Sequence, residues 1–195
     1  GNLFKTCNVP DNILVIWGLV TIIVMTSSCR NAPAKDPDLK LRQEAERISR
    51  TSLILDSHID WPDFVLADPE DISMQTSLGD FDLVRARKGG LDTVLSVAYI
   101  SPDLDTGTGR LMVDSMLKII RHYPDTYPEK FAVSNTPAEV RGNFAKHLFS
   151  LVPCLENGSP VGDDLQYLQY LKDQGIAYIT LCHSKTNQIC DSNFD

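Results

Sequence analysis

Ser52-Leu53-Ile54-Leu55-Asp56-Ser57-His58-Ile59-Asp60 decides how this chain is read. An apolar run passes directly into ligand-type side chains. Ser52 to Leu55 is brief, apolar and bounded by polar residues, which is the pattern of a short buried strand. If the backbone stays extended beyond it, His58 and Asp60 lie two positions apart and point to the same side. An imidazole nitrogen and a carboxylate oxygen then converge just past the strand's C-terminal end. That pairing suits Zn²⁺ or a similar divalent ion. His-x-Asp is short enough to recur by chance, and the same two residues also fit a hydrogen-bonded buried histidine and a capping aspartate.

Working outward, Leu39 to Ser49 is rich in helix formers and reads as an amphipathic helix leading into that strand. Trp61-Pro62 is expected to stop regular structure, and Ala67 to Gly79 reads as a polar loop. Phe81 to Lys88 is a short helical piece ended by Gly89-Gly90. Thr93 to Ile100 is a second buried strand, closed by Ser101-Pro102. Gly109 to Tyr123 has helical spacing, with Leu111, Met112, Ser115, Met116, Ile119 and Ile120 on the expected inner face. Phe131 to Val133 is a minor strand. Thr136-Pro137-Ala138-Glu139 carries a cap, a first-turn proline and a third-position glutamate, and so opens a helix. Leu148 to Leu155 is the next main strand, with Glu156 directly after it. Asp163 to Asp173 is a helix with Leu165, Leu168 and Leu171 inward, stopped by Gly175. Ile176 to Leu181 is the fourth main strand, with Cys182-His183 at its end.

Strands alternating with helices over short connections predict an α/β fold with parallel strands. Ligand-type residues fall at three strand ends: His58 with Asp60, Glu156, and His183. In α/β barrels the reactive groups gather at the C-terminal strand ends, and the closed barrel takes eight units and about 250 residues. Four main strands in 195 residues predict the N-terminal half of a (β/α)₈ metallo-hydrolase barrel, truncated at Asp195.

Ile13 to Met25 is almost wholly apolar, with Lys5 ahead of it and Thr26-Ser27-Ser28-Cys29 after it. The run is shorter than the roughly 20 residues of a spanning helix and fits a secretory core. Small residues before a cysteine resemble a bacterial lipoprotein signal, in which Cys29 would be lipidated; an uncleaved N-terminal anchor is the other reading. Three segments follow: 1–29 as the signal, 30–37 as a tether, and 38–195 as the partial barrel domain. The chain would then be exported to the cell envelope and held at the membrane. The formal net charge of -8 offers no basic patch, which argues against a nucleic-acid partner. The five cysteines show no close metal-type spacing, although Cys182 and Cys190 could pair in an oxidising compartment.

Several blocks in order resemble the zinc membrane dipeptidases, also called renal dipeptidases or dehydropeptidases. Asp56-Ser57-His58-Ile59-Asp60-Trp61-Pro62 looks like the family's D-G-H-N-D-x-P stretch. Asp82 to Gly90 resembles the segment that ends in a glycine pair before the second strand. Leu155-Glu156-Asn157-Gly158 is similar to its E-G-G element, and Gly175 to Ser184 to its G-x-R-Y-x-T-L-T-H segment, followed by Asn187 and Asp191. The similarity covers about residues 40 to 195. It implies a (β/α)₈ barrel with two zinc ions, His58 and Asp60 on one, Glu156 bridging both, and His183 against the substrate near the scissile peptide. Asn157, Ser159 and Ala177 depart from the family pattern at a Gly, a His and an Arg. The remaining zinc ligands of the family come from later strands.

The resemblance implies zinc-dependent hydrolysis of dipeptides by the full-length parent, through Glu156 and His183, with the 195-residue chain inactive alone unless a homodimer rebuilds the site. The competing reading is a lipoprotein that captures short peptides on a degenerate barrel without turnover. A third, another metal-dependent amidohydrolase, is disfavoured because such barrels carry His-x-His where this chain has His58 and Asp60.

Overall fold

The structure, a computed structural model, describes residues 37–194. The expected signal segment with Cys29, and all of the tether but its last residue, lie outside the described residues. Among the described residues no helix is long and apolar enough to cross a membrane. The elements run α1 (Leu39–Thr51), β1 (Leu55–Ile59), α2 (Trp61–Ala67), α3 (Leu83–Gly89), β2 (Thr93–Tyr99), α4 (Thr106–Thr126), β3 (Phe131–Val133), α5 (Pro137–Ala145), β4 (Phe149–Glu156) and α6 (Leu165–Asp173). The sheet lies within the unit Glu44–Asp195. Its order is β1-β2-β4-β3, and every pairing is parallel, as the alternation of strands and helices predicts.

Local chemistry explains where the helices begin and end. Asp82 accepts the Arg85 N–H at 2.8 Å to open α3, and Asp105 accepts the Thr108 N–H at 3.0 Å to open α4. Thr136 and Glu139 form the expected capping box on α5. Such caps are worth about 1 kcal/mol each. Gly90 ends α3 at φ 88°, and a Cβ there would stand 2.7 Å from the Ser49 carbonyl oxygen, so only glycine fits.

Four expectations need correction. Trp61-Pro62 does not stop regular structure; it opens α2, because a first-turn proline needs no N–H partner. The first strand begins at Leu55, where it was expected to end, so His58 lies inside β1 and not past it. On α4 the inner face is Val113, Met116, Leu117, Ile120 and Tyr123, while Leu111 is exposed. On α6 it is Tyr167 and Leu171, while Leu165 and Leu168 face solvent. In both helices the i, i+4 pairs that meet the core include residues other than the aliphatic ones that sequence periodicity counts.

Ile176 to Leu181 makes only one bridge, Leu155 with Ile179. The Ala177 N–H nonetheless donates to the Pro153 carbonyl at 2.8 Å and the Thr180 N–H to the Leu155 carbonyl at 3.0 Å. β3 occupies the same edge of β4 over residues 149–151. The segment therefore has only the upper end of β4 to pair with. Apolar packing fills both faces of the sheet. On the helix side Trp61, Val94, Ala98, Ile100, Met116, Ile120, Phe149, Leu151 and Leu155 form one cluster. The opposite face carries Val97, Val152 and Cys154, clustered with Val140 of α5 and with Leu95 and Tyr178 against them. Each fully buried large side chain there contributes about 1.5–3 kcal/mol, which makes the two central strands a stiff support for the residues at their ends.

Candidate metal centre

The centre begins with an irregularity in β1. Leu55 pairs with Thr93 and Asp56 with Val94, yet Ile59 pairs with Ser96. Three steps on β1 match two on β2, which is a one-residue bulge between Asp56 and Ile59. Strand side chains alternate with a period of two, so one extra residue exchanges the faces. Below the bulge Leu55 lies with Leu95 and Val152. Above it Ile59 packs into the helix-side core, and His58 turns to the opposite face. Without the bulge His58 would align with Ser96, whose hydroxyl accepts the Trp61 indole N–H at 2.9 Å in the core. Asp56 Oδ1 accepts the His58 N–H at 2.9 Å and folds the bulge on itself.

Asp60 is the residue before α2, at φ -85° and ψ 30°, and its side chain makes no cap bond to the helix. The capping alternative therefore gives way. Asp60 Oδ1 lies 3.5 Å from His58 Nε2. Glu156, the last residue of β4, places Oε2 3.2 Å from the same nitrogen and Oε1 3.8 Å from His183 Nε2. His58, Asp60 and Glu156 each offer a ligand atom, all within 4.8 Å of one another. Ligands at about 2.0–2.2 Å around a tetrahedral ion stand about 3.3–3.6 Å apart, and the His58 separations of 3.5 and 3.2 Å are of that size. Burial pushes the Asp60 carboxyl above its ordinary value; His58 opposes the shift, and Glu156 and Asp63 add to it. Two converging carboxylates beside one imidazole nitrogen are a donor set that fits a divalent cation.

The surroundings hold the three residues in place. Asn157 stands at φ 69°, in the left-handed region that asparagine tolerates better than most residues. Its Nδ2 donates to the Ile100 carbonyl at 2.9 Å, and its Oδ1 accepts the Ser159 N–H at 3.2 Å and the Asn187 Nδ2–H at 2.9 Å. The departure from glycine thus ties three strand-end loops together. At Gly158 a Cβ would meet Ile189 Cδ1 at 2.5 Å and the Leu181 carbonyl oxygen at 3.2 Å, so the 181–189 loop lies close over it. His183 is 41% exposed at its side chain, lies outside the three-ligand set, and stands edge-on to Tyr99 with ring centroids 5.2 Å apart.

Two tyrosines at the site were given no role by the sequence. Tyr99 ends β2 above the carboxylates. The Tyr178 hydroxyl is 2.8 Å from His58 Nδ1, and its phenol is pushed upward, first by burial. Cys182 and Cys190 are free, and the Cys182 thiol donates to the Asp191 carbonyl at 3.4 Å. His122 and His147 are exposed and stand apart from the centre.

A family model of the membrane dipeptidases, peptidase family M19, matches residues 42–195. The chain belongs to this family. A dipeptidase of Aspergillus terreus, ataJ, is 22% identical over 155 residues, which is 73% of this chain and 38% of that protein. The probable dipeptidase PvdM from Pseudomonas aeruginosa superposes with a TM-score of 0.68 at 20% identity, over 79% of this chain and 40% of its own. A metallo peptidase from Rhodobacter sphaeroides, liganded with a phosphinate mimic of the dipeptide L-Ala-D-Ala, superposes at 0.62 and 18% identity, over 69% of this chain and 46% of its own. The membrane dipeptidase chain thus spans about two fifths of the length of the curated relative it matches. Its parallel α/β sheet matches the barrel-type fold of those structures over that part.

Proposed function

We propose that the protein carrying this membrane dipeptidase segment hydrolyses dipeptides at a zinc centre held in part by His58, Asp60 and Glu156. The observation that carries the reading is the convergence of those three ligand atoms at the C-terminal ends of parallel strands, with His183 beside them. His58, Asp60 and Glu156 would hold the ion, which would bring the pKa of a bound water toward neutrality and polarise a carbonyl. Glu156 turns Oε2 toward His58 and Oε1 toward His183, so Oε2 would hold the ion with His58 and Asp60 while Oε1 would remain free for a further ion. His183 Nε2 can donate to the oxygen on which charge develops as the peptide carbonyl is attacked. The His183 ring meets Tyr99 in a T-shaped contact. In this reading the 195-residue chain alone supplies one nearly complete ion site and no turnover.

The test is release of free amino acids from dipeptides by the whole protein, with and without chelation and zinc restoration. Glu156→Gln keeps the shape and removes the charge. It should lower turnover by more than about a hundredfold, beyond the usual loss from an outer-shell partner, with unchanged circular dichroism. Near-normal turnover in that variant would show that Glu156 is not a ligand.

A further inference from the structure

The Tyr178 hydroxyl lies 2.8 Å from His58 Nδ1 and 3.3 Å from the Ser57 carbonyl oxygen, with the Cys154 thiol also beside it. Its ring lies nearly parallel to the imidazole, at 22° with centroids 6.3 Å apart. The ring is seated against Val97, Val140, Val152 and Cys154. The Tyr178 carbonyl accepts the Leu155 N–H at 3.0 Å, so the residue is anchored beside the strand end that carries Glu156. One side chain thereby links the ligand-bearing segment of β1 to that of β4.

A neutral imidazole has one N–H, and the partner of one nitrogen decides which nitrogen keeps a lone pair for a metal. A hydroxyl both donates and accepts. In one arrangement the Tyr178 O–H donates to His58 Nδ1, and the Nε2–H faces Glu156. In the other, Nδ1–H donates to the Tyr178 oxygen, the Tyr178 O–H turns to the Ser57 carbonyl, and the Nε2 lone pair faces Asp60 and Glu156. The imidazole and the phenol each keep one proton in both arrangements, and the tautomers exchange through water. A carboxylate in place of Tyr178 could only accept, and phenylalanine could do neither.

We propose that Tyr178 is the positioning residue of the centre, its hydroxyl reversing its hydrogen bond so that His58 presents Nε2 to a divalent cation. The inference rests on the metal reading above. Its test uses the 195-residue chain, Zn²⁺ alone as the probe, and protein ¹⁵N-labelled at histidine. In the zinc-saturated chain the NMR spectrum should show His58 bound through Nε2 with a slowly exchanging Nδ1 proton. Tyr178→Phe should keep the unfolding midpoint, weaken Zn²⁺ in chelator competition by about tenfold or more, and expose the Nδ1 proton to rapid exchange. Binding through Nδ1 overturns the proposal. So does a folded Tyr178→Phe chain that binds Zn²⁺ within about twofold of the original, short of the usual outer-shell effect. If the variant does not fold, the spectrum of the unaltered chain decides. A chain in which Zn²⁺ leaves the His58 signals unmoved refutes an ion site on His58, Asp60 and Glu156, a different result from a site that binds without help from Tyr178.

Discussion

Asn157 is almost fully buried, adopts φ 69° and makes three side-chain hydrogen bonds to separate loops. Alanine there takes on the left-handed penalty of about 1–2 kcal/mol and leaves buried polar groups unpaired at about 1–3 kcal/mol. Glycine loses the same bonds without the backbone cost. Asn157→Ala should therefore destabilise by about 3 kcal/mol or more, and Asn157→Gly by roughly 1 kcal/mol less. Urea unfolding midpoints measure the gap, and equal values would remove the backbone argument. His58, Asp60, Glu156 and His183 could be found in the sequence because ligand types cluster at strand ends. Tyr178 could not, because its partner is 120 positions away and a tyrosine in a strand normally signals packing alone.

Asp71 and Asp82 accept the Ser73 and Thr76 N–H groups in the loop between α2 and α3, and Glu70 holds its tip. Glu70 accepts the Ser77 N–H and hydroxyl at 2.8 Å, the Leu78 N–H at 3.1 Å and the Gly79 N–H at 3.0 Å. The Ser77 backbone bond is the largest cause that brings its carboxyl down to about 2 from 4.5. A folded pKa below the unfolded one gives stability that is complete above the unfolded value and lost as pH falls through the folded one. The loop should therefore loosen between about pH 4.5 and 2, and Glu70→Gln should flatten the stability profile in that window. Amide exchange of Ser77 to Gly79 against pH reads this directly, and identical slopes in both proteins would exclude the role. Among elements, the Thr136-capped helix and the two central strands were legible in sequence, because that cap and continuous apolar runs are local signals, whereas the Asp105 cap went unread and the helix it opens was begun three residues late. Ile176–Leu181 was read as a strand from composition. Whether such a run completes a ladder depends on which edge is open, and β3 had taken half of it.

Within the whole molecule, the far edge of β1 pairs with no strand among the described residues, and Leu55 on it is 44% exposed. An open apolar edge recruits other chains. Sedimentation velocity of the 195-residue chain should show association that rises with concentration, and Leu55→Lys should reduce it. A monomer at every concentration would mean the edge is already covered. The half-barrel expectation draws support from the superpositions, since the parallel sheet matches about two fifths of a dipeptidase barrel. The bulge escaped the sequence reading, which assumed an unbroken extended backbone from Ser52 to Asp60. It has a genetic corollary. Between Asp56 and Ile59 the gene carries one codon more than regular pairing with β2 needs. Losing the Ser57 codon would set His58 opposite Leu95 and keep Ile59 opposite Ser96, so each would hold the face it has now. Point substitutions leave that surplus in place, and only a change of length would show whether the site needs it.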